Sequence, residues 1–336
     1  MDKDGNPETI LVYVGWDLVG DGLLKLPFIH ALRHAYPKAR ITWVAGKRES
    51  VFAGVMAPMV HGLLDEVIEH AGIGASPLGL ILRPLRGRSF DLIIDTQKVA
   101  LASLCLWRVK HDRFISPFGK FFLSSTKPQA DYVWPKHMMR QMLDLAELAT
   151  GHAFSSPDYI ELHLSQEIRS WAMERLEDGP SYVGFAPGSG GKPKCWPLER
   201  FIEAASAQVH LGRHPVFLLG PQETDWYRTI KKALPMARFP LQEELTHLWL
   251  PEYTVALGER MAVSVSNDSG VGHMLASSGK PLISLFGPTS PEKFTPVTDH
   301  LTLLRAQDFG AGNAMTQIPA AAVIEAIEKA VHRPHH

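Results

Sequence analysis

Short apolar segments that each end in a glycine-containing loop and lead into a helix recur along the whole chain. The first covers residues 9–14 and is followed by a loop at 15–22 and by apolar residues at helical spacing up to Pro37. Residues 40–45 supply the next strand, so the chain opens with a βαβ unit. Because strands joined through helices run parallel, the sequence predicts an α/β fold of doubly wound sheets.

The same alternation returns in the second half of the chain. The predicted strands there cover residues 182–185, 215–219, 261–266 and 281–286, and the pattern ends in a last helix. A length of 336 residues exceeds that of one domain of roughly 100 to 200 residues. We therefore predict two domains, 1–165 and 166–336, with the last helix as a candidate to pack back on the first.

Composition narrows the class of protein. Hydrophobic residues make up 45% and the net charge is −1, which indicates a packed globular protein and argues against one that wraps nucleic acid. Cys105 and Cys195 are the only cysteines, so a disulfide framework is excluded and a reducing compartment is expected. The N-terminal residues lack the pattern of a signal peptide, and no apolar run reaches about 18 residues. We expect a cytoplasmic protein, with peripheral membrane attachment left open.

Loops at the carboxyl ends of the predicted strands are where a doubly wound fold binds its ligands. The first of these loops places Asp21 between two glycines, just before a helix. A carboxylate there could serve as a general base in a cleft or as a simple helix cap. Asp17 is the competing carboxylate, and spacing alone does not choose between the two.

Two loops of the second half have features that suit a nucleotide. Residues 187–194 combine small residues with Lys194, so that backbone N–H groups and a full positive charge could meet a phosphate. Glu223 follows a buried strand and could accept hydrogen bonds from ribose hydroxyls. The alternatives are a solvated flexible loop for the first and an ordinary exposed glutamate for the second.

The fourth loop, residues 266–273, follows a strand and starts a helix. It reads Ser-Asn-Asp-Ser-Gly-Val-Gly-His, which contains more small polar residues than helix capping requires. We interpret it as an anion site, with His273 as a candidate ligand contact and a core or capping imidazole as the alternative.

These loops together resemble the ordered motifs of glycosyltransferase family 9, the ADP-heptose:lipopolysaccharide heptosyltransferases. The resemblance rests on ILVYVGWDLVGDG, VGFAPGSGGKPKCWPLERF, FLLGPQET and SNDSGVGHMLASSGKPLISLFGPTSPE, in that order. It implies a GT-B fold, in which two Rossmann-like domains face a cleft with the acceptor on the N-terminal side and the nucleotide sugar on the other. It further implies inverting, metal-independent transfer of a heptose from ADP-heptose to a lipopolysaccharide core acceptor, with no cofactor.

The resemblance also assigns residues. Asp21 matches the family's general base, Lys194 matches a lysine at the donor phosphate, and Glu223 matches the carboxylate on the ribose. The expected donor-binding residues are Gly188, Ser189, Lys194, Glu223, Asp268, Ser269, Gly270 and His273. Gly15 stands where many members have a basic residue, and Cys195 stands where a basic or polar residue is common.

Other functions stay open beside this one. A nicotinamide-dependent oxidoreductase is disfavoured, because no G-x-G-x-x-G follows Val14. A sugar-nucleotide-binding protein with a decayed site is disfavoured by the retention of the acidic and basic residues named above. Another nucleotide sugar as donor, or a protein or different glycan as acceptor, is not distinguished by the sequence.

A basic segment from Arg83 to Arg140 carries eleven basic and four acidic residues, with aromatic residues between them. Cations beside apolar side chains suit the surface of an anionic membrane that presents an acidic, lipid-linked glycan. We expect Arg108, Lys110 and Arg113 to lie on the acceptor side. The alternative is that the aromatic residues belong to the core and the charges to an ordinary solvated face.

Overall fold

The computed structural model describes residues 1–3, 5–81, 84–242 and 250–332, so Arg83 at the start of the basic segment lies outside the described residues. The chain divides into two compact units, Met1–Pro157 and Asp158–His336. The boundary expected near Ser165 falls inside the second unit, where Ser165 caps a helix by accepting a hydrogen bond from the Ile168 N–H at 3.3 Å.

The first unit contains a five-stranded parallel sheet in the order β3-β2-β1-β4-β5. Its strands are β1 (Thr9–Val14), β2 (Arg40–Ala45), β3 (Glu66–Ile68), β4 (Ser89–Asp95) and β5 (Lys110–Ile115). Its helices are α1 (Val19–Ala35), α2 (Leu78–Ile81), α3 (Ala100–Trp107) and α4 (Met138–Thr150). Helix α1 packs on α4, and α3 packs on β4 and β5.

The second unit also contains a parallel sheet, in the order β10-β9-β8-β6-β7. Its strands are β6 (Tyr182–Ala186), β7 (His214–Phe217), β8 (Val263–Asn267), β9 (Leu282–Phe286) and β10 (Leu301–Arg305). Its helices are α5 (Gln166–Arg175), α6 (Leu198–His210), α7 (Trp226–Ala233), α8 (Pro251–Glu259), α9 (Gly270–Ala276), α10 (Pro291–Phe294) and α11 (Ala320–Val331). A single parallel bridge from Val216 to Arg238 extends this sheet beyond β7.

Alternate side chains of β6 show how the second sheet is covered on both faces. Val183 and Phe185 join the core under α6 and α11, whereas Tyr182 and Ala186 join the core under α5, α8 and α9. Burial on both faces explains why these strands are continuous apolar runs. The last helix, α11, packs against α6, β8 and β9 of its own unit.

Candidate functional site

In the second unit, the loops that follow β6 and β8 emerge side by side at the carboxyl edge of the sheet. These two strands are neighbours, although β7 comes between them in the chain, so the strand order reverses between them. Ligands of open α/β sheets bind at such a reversal. The sequence-predicted donor residues Gly188, Ser189 and Lys194 follow β6, and Asp268 to His273 follow β8.

Direct contacts join the two loops. Lys194 Nζ lies 3.0 Å from Asp268 Oδ2, and the Asp268 carboxylate is almost fully buried. The Ser189 hydroxyl donates to the Asp268 carbonyl oxygen at 3.1 Å. The solvated-loop alternative is therefore wrong for Lys194, which is partly buried and ion-paired, while Lys192 is exposed.

Asn267, the last residue of β8, holds the loop after β6 at both ends. Its side-chain oxygen accepts from the Trp196 backbone N–H at 3.0 Å, and its amide nitrogen donates to the Pro187 carbonyl at 2.7 Å. Because Asn267 is fully buried, water cannot replace these hydrogen bonds, and the loss of either one would destabilise the folded protein. The sequence contained this residue but gave it no role; an amide at the end of a buried strand is the signal.

Glu223 lies against the same loop from the side of β7. Its carboxylate accepts from the Gly220 N–H at 3.0 Å, and burial raises its pKa above the ordinary value. A side chain at position 188 would meet this carboxylate, since a Cβ atom there would lie 2.6 Å from Glu223 Cδ. Glycine at 188 thus lets the carboxylate and the loop backbone approach each other, and the exposed-glutamate alternative is wrong.

The loop after β8 does contain a helix cap. Ser269 is the N-cap of α9, and its hydroxyl accepts from the Gly272 N–H at 3.4 Å. His273 lies on α9 with its side chain buried. The capping interpretation is confirmed for Ser269, while the contacts of Asp268 with Lys194 and Ser189 lie outside what a cap requires.

In the first unit, Asp21 lies in the first turn of α1, at the point where the strand order reverses between β1 and β4. The loop expected to run to Gly22 is shorter, since α1 already begins at Val19. The N-cap is Leu18, so the capping interpretation of Asp21 is wrong. Its side chain is partly exposed.

Asp17 has a different environment. It is buried, pairs with Lys25, and accepts hydrogen bonds from Trp43 Nε1 at 3.0 Å and from the Ser50 hydroxyl at 3.1 Å. Three donors from α1, β2 and the loop after β2 therefore surround this carboxylate. Asp17 fixes the start of α1 against β2.

The structure does not bring the three basic residues predicted on the acceptor side together with Asp21. Arg108 ends α3 and Lys110 begins β5, so both lie at the amino edge of the sheet, opposite the edge where Asp21 lies. The Arg113 guanidinium donates to the Ala149 carbonyl at 2.9 Å, which ties β5 to the end of α4.

Two further features of the carboxyl edge were missed by the sequence analysis. Arg48, in the loop after β2, stacks over the exposed ring of Trp16 at 5.0 Å from its centroid. Asp95, at the end of β4, accepts hydrogen bonds from Ser103 at 2.5 Å and Ser116 at 2.8 Å. A carboxylate directly after the buried apolar residues Leu92, Ile93 and Ile94 was a visible signal for Asp95.

Metal ligands and membrane spans were also sought in the described part of the chain. Residues 1–3, 5–81, 84–242 and 250–332 contain no group of three or more His, Cys, Asp or Glu side chains placed to hold a metal ion. Within the same ranges, no helix combines the length and the apolar character needed to cross a membrane. Cys105 and Cys195 are both free thiols.

Comparison with known proteins places this geometry in a family. A family model described as glycosyltransferase family 9 (heptosyltransferase) matches residues 80–317. Lipopolysaccharide heptosyltransferase 2 of Salmonella typhimurium LT2 is 31% identical over 308 residues, covering 86% of this chain and 86% of the relative. Lipopolysaccharide heptosyltransferase 2 of Escherichia coli K12 is 23% identical with the same coverage.

Solved structures show the same fold. The glycosyl transferase family 9 protein from Veillonella parvula DSM 2008 superposes with a TM-score of 0.72 at 22% identity and covers 97% of each chain. The E. coli ADP-heptose lps heptosyltransferase II superposes with a TM-score of 0.66 at 21% identity, covering 96% of this chain and 98% of the other. The predicted GT-B fold class, with two doubly wound α/β domains, is confirmed.

Proposed function

Since this chain belongs to glycosyltransferase family 9 and is therefore a glycosyltransferase, we propose that it transfers a heptose from ADP-heptose to an acceptor in the lipopolysaccharide core. The Salmonella and E. coli relatives are both lipopolysaccharide heptosyltransferases by name, which supports this choice of donor and acceptor. The observation that carries the proposal is the contact between the loops after β6 and β8. Lys194 pairs there with Asp268, and Glu223 lies against Gly188 of the same glycine-rich loop.

In this proposal the second unit binds the donor. Lys194 and the backbone N–H groups near Ser189 and Ser269 would meet the diphosphate, and Glu223 would accept hydrogen bonds from ribose hydroxyls. Gly188 leaves room for Glu223 beside the loop backbone, and Gly270 is the first residue of α9. Asp268 and His273 would contact the donor from the same loop and helix. The donor thus lies at the reversal of strand order, where a doubly wound sheet offers oriented N–H groups.

Asp21 of the first unit would act as the general base. Its carboxylate takes the proton of an acceptor hydroxyl while that oxygen forms a bond to the anomeric carbon of the heptose. The bond from the anomeric carbon to the diphosphate oxygen breaks on the opposite face, and ADP leaves with the electron pair. The configuration at the anomeric carbon is inverted in this single displacement.

The negative charge that develops on the leaving ADP would be stabilised by Lys194 and by the same backbone N–H groups. These groups are held before the reaction by Asn267, Ser189 and Asp268, so little reorganisation is needed as charge develops. We propose that this arrangement takes the role of a metal ion and that no further cofactor takes part.

A panel of nucleotide sugars tests the donor. The purified protein is incubated with ADP-heptose, ADP-glucose, UDP-glucose and GDP-mannose and with a lipopolysaccharide core acceptor, and the product is identified by mass. We expect a heptose adduct from ADP-heptose alone. Transfer from another nucleotide sugar, or to a protein or different glycan, would replace the proposed substrates, and binding without transfer would indicate a non-catalytic protein.

Lys194→Ala and Lys192→Ala form a matched pair for the same site. Removal of a charge-assisted phosphate contact costs about 1.5 to 3 kcal/mol, so Lys194→Ala should weaken ADP binding by roughly tenfold or more. Lys192 is exposed and makes no contact with Asp268, so its removal should have a much smaller effect. Isothermal titration with ADP measures both, and equal effects would remove Lys194 from the site.

We also propose that the protein works at the inner face of the bacterial inner membrane, through a basic and apolar surface formed by α2, α3 and the start of β5. Its exposed apolar residues are Leu78, Ile81, Leu104 and Trp107. Arg86, Arg108 and Lys110 lie beside them around a groove of about 590 Å³. Apolar side chains next to cations suit an anionic lipid surface.

A further inference from the structure

A second cavity, of about 640 Å³, opens at the carboxyl edge of the first sheet. The segments that follow β4 and β5 form its walls. Three lysines and three aromatic residues line it: Lys98, Lys120, Lys127, Phe121, Tyr132 and Trp134. We call it the three-lysine cavity.

The charged side chains that line this cavity are all lysines. No acidic side chain of the described residues lines it. Lys120 and Lys127 are exposed, and neither forms an ion pair within the part of the chain that the structure describes. Lys120 and Lys127 bring two positive charges to a lining without a carboxylate, which creates a positive potential that favours an anionic ligand.

The aromatic residues form one wall. Phe121 and Trp134 have ring centroids 5.7 Å apart, and Tyr132 makes edge contacts with both. The ammonium group of Lys98 lies 4.2 Å from the Trp134 centroid. A rigid aromatic surface beside cations can pack against the C–H face of a sugar ring while the cations bind a charged substituent.

The segment that contributes Lys120 and Phe121 has a strained backbone. Both residues have positive φ, 56° and 65°, a conformation that residues other than glycine rarely adopt. The conformation is held because Ser124 and Ser125 accept hydrogen bonds from the N–H groups of Ser116 and Phe114, both at 2.9 Å. Strain of this kind is concentrated at binding and catalytic sites.

The three-lysine cavity lies on the same edge of the sheet as Asp21. Strand β4 is the neighbour of β1. The side-chain oxygen of Gln97, in the loop after β4, lies 3.4 Å from the position that a Cβ atom would take on Gly15, in the loop after β1. Lys98 is the next residue along. The cavity therefore adjoins the loop that leads into α1, the helix whose first turn contains Asp21.

We propose that the three-lysine cavity binds a phosphorylated sugar of the acceptor and so positions the acceptor hydroxyl for transfer. The phosphate contacts the lysines, and the sugar ring packs on the aromatic wall. This inference rests on the proposed function, because the position of the cavity has meaning only if Asp21 activates an acceptor. It assigns the acceptor contact to Lys98, Lys120 and Lys127, in place of Arg108, Lys110 and Arg113.

The test uses the full chain and three small probes: glucose 6-phosphate, glucose and inorganic phosphate. Saturation-transfer NMR with competition gives the affinity of each probe. We expect glucose 6-phosphate to bind at least tenfold more tightly than glucose or phosphate, because it alone engages both the lysines and the aromatic wall. Equal binding of inorganic phosphate and glucose 6-phosphate would overturn the proposal, since the aromatic wall would then have no part.

Variants locate the site. The double variant Lys120→Ala/Lys127→Ala should weaken binding of glucose 6-phosphate by tenfold or more, and Trp134→Leu should weaken it while leaving binding of inorganic phosphate unchanged. Lys38→Ala, an exposed lysine after α1, is the control and should bind like the wild type. ADP affinity, measured on each variant, shows that the chain is folded, and unchanged binding of glucose 6-phosphate by the double variant would overturn the assignment.

The same variants separate this inference from the proposed function. With a phosphorylated core acceptor, the double variant should show an acceptor KM raised at least tenfold, with the KM for ADP-heptose unchanged. If ADP-heptose is not a donor, the proposed function fails while the binding of glucose 6-phosphate can still be measured. If transfer occurs with normal acceptor KM in the double variant, the proposed function stands and the three-lysine cavity is not the acceptor site.

Discussion

Asp17 and Asp21 lie four residues apart, yet their surroundings give them different roles. Asp17 is enclosed by Lys25, Trp43 and Ser50, so its oxygens are occupied and no substrate can reach them. Asp21 is partly exposed in the first turn of α1. A base must be accessible to the acceptor, and of the two carboxylates only Asp21 is partly exposed, which supports its proposed role.

Asp21→Asn should lower kcat by about 10² or more while ADP affinity stays unchanged, because the amide cannot take the acceptor proton. Steady-state transfer and an ADP titration measure the two quantities. Asp17→Asn is the companion variant. It leaves Lys25 buried without its partner, so it should lower the melting temperature, since breaking a buried ion pair typically costs about 3 to 5 kcal/mol.

The opposite pattern would reverse the assignment. If Asp21→Asn transfers at the wild-type rate and Asp17→Asn is folded but inactive, Asp17 is the base. Loss of ADP binding in Asp21→Asn would point to misfolding of the variant, and a melting curve would show it.

Asp95 makes stability depend on pH. Burial raises the pKa of this carboxyl to about 6, although Ser103, the Gln97 N–H and Ser116 donate hydrogen bonds that favour its charged form. The folded protein thus holds the proton more tightly than the unfolded chain does. The stability that this group contributes is fully present below about pH 4 and is lost as the pH rises through about 6.

Asp95→Asn removes this titration. Between pH 5 and pH 7, its free energy of unfolding should therefore increase by about 1 kcal/mol relative to that of the wild type, which loses the contribution of Asp95 over this range. Urea unfolding of both proteins at the two pH values measures the change, and the difference between them cancels the titration of all other groups. A difference that does not vary with pH would show that Asp95 keeps an ordinary pKa.

The inner strands of each sheet were predictable, whereas three of the four edge strands were not. The exception, β7, is buried from Pro215 to Phe217. The inner strands β1, β2, β4, β6, β8 and β9 have both faces covered, and each contains buried Val, Ile, Leu or aromatic residues that mark it in the sequence. Three missed strands, β3, β5 and β10, are edge strands with partly exposed residues. Lys110 and Arg113 interrupt the apolar pattern of β5, so only its pairing with β4 identifies it.

The candidate site shows the same division. Each polar loop could be read from the sequence because it follows a recognisable strand, and the family resemblance supplied the roles of Asp21, Lys194 and Glu223. The two hydrogen bonds of Asn267 to the loop after β6, which we call the Asn267 clamp, could not be predicted. They join residues about 70 to 80 positions apart through the pairing of β6 with β8. Contacts of that kind depend on strand order, which local pattern does not fix.

The clamp gives a prediction for the loop between β6 and α6. Asn267→Ala removes two hydrogen bonds and leaves the Trp196 N–H and the Pro187 carbonyl without their partner, at a cost of about 1 to 3 kcal/mol for each buried group. The melting temperature should fall and ADP affinity should fall with it. Calorimetry and ADP titration measure both.

Asn267→Asp is the matched variant. It keeps an oxygen for the Trp196 N–H but places a carboxylate against the Pro187 carbonyl, so it should also lose stability. If ADP affinity is unchanged in both variants, the loop keeps its shape without the clamp, and Asn267 has a structural role only.

At the scale of the molecule, the basic segment from Arg83 to Arg140 divides into parts that the sequence could not separate. Arg108 and Lys110 lie at the amino edge of the first sheet, whereas Lys98, Lys120 and Lys127 line a cavity at the carboxyl edge. The remaining cations include Arg113 and Arg140, which are held by hydrogen bonds within the unit. The aromatic residues divide likewise: Phe114 is core, Phe121 is buried in the wall of the three-lysine cavity, and Trp107 and Phe122 are exposed.

The proposed membrane surface is tested by flotation with liposomes that contain anionic lipid. The wild type should float at low salt and less at high salt, because each cation near the membrane contributes about 1 kcal/mol and salt screens it. Arg108→Glu/Lys110→Glu should stay at the bottom of the gradient. Lys38→Glu/Lys232→Glu makes the same change in net charge at exposed positions elsewhere and should float like the wild type. Equal flotation of both variants would remove this surface from membrane binding.

The ion pair between Lys194 and Asp268 means that the proposed donor site is close to electroneutral before any ligand arrives. The positive charge of Lys194 is offset there by the carboxylate of Asp268. A diphosphate that enters such a site shares Lys194 with the Asp268 carboxylate, and peptide dipoles meet the rest of its charge. Dissolved salt screens these partly buried groups less than it screens exposed charges. Raising the ionic strength should therefore weaken binding to the proposed lipid surface, while the affinity for ADP changes little.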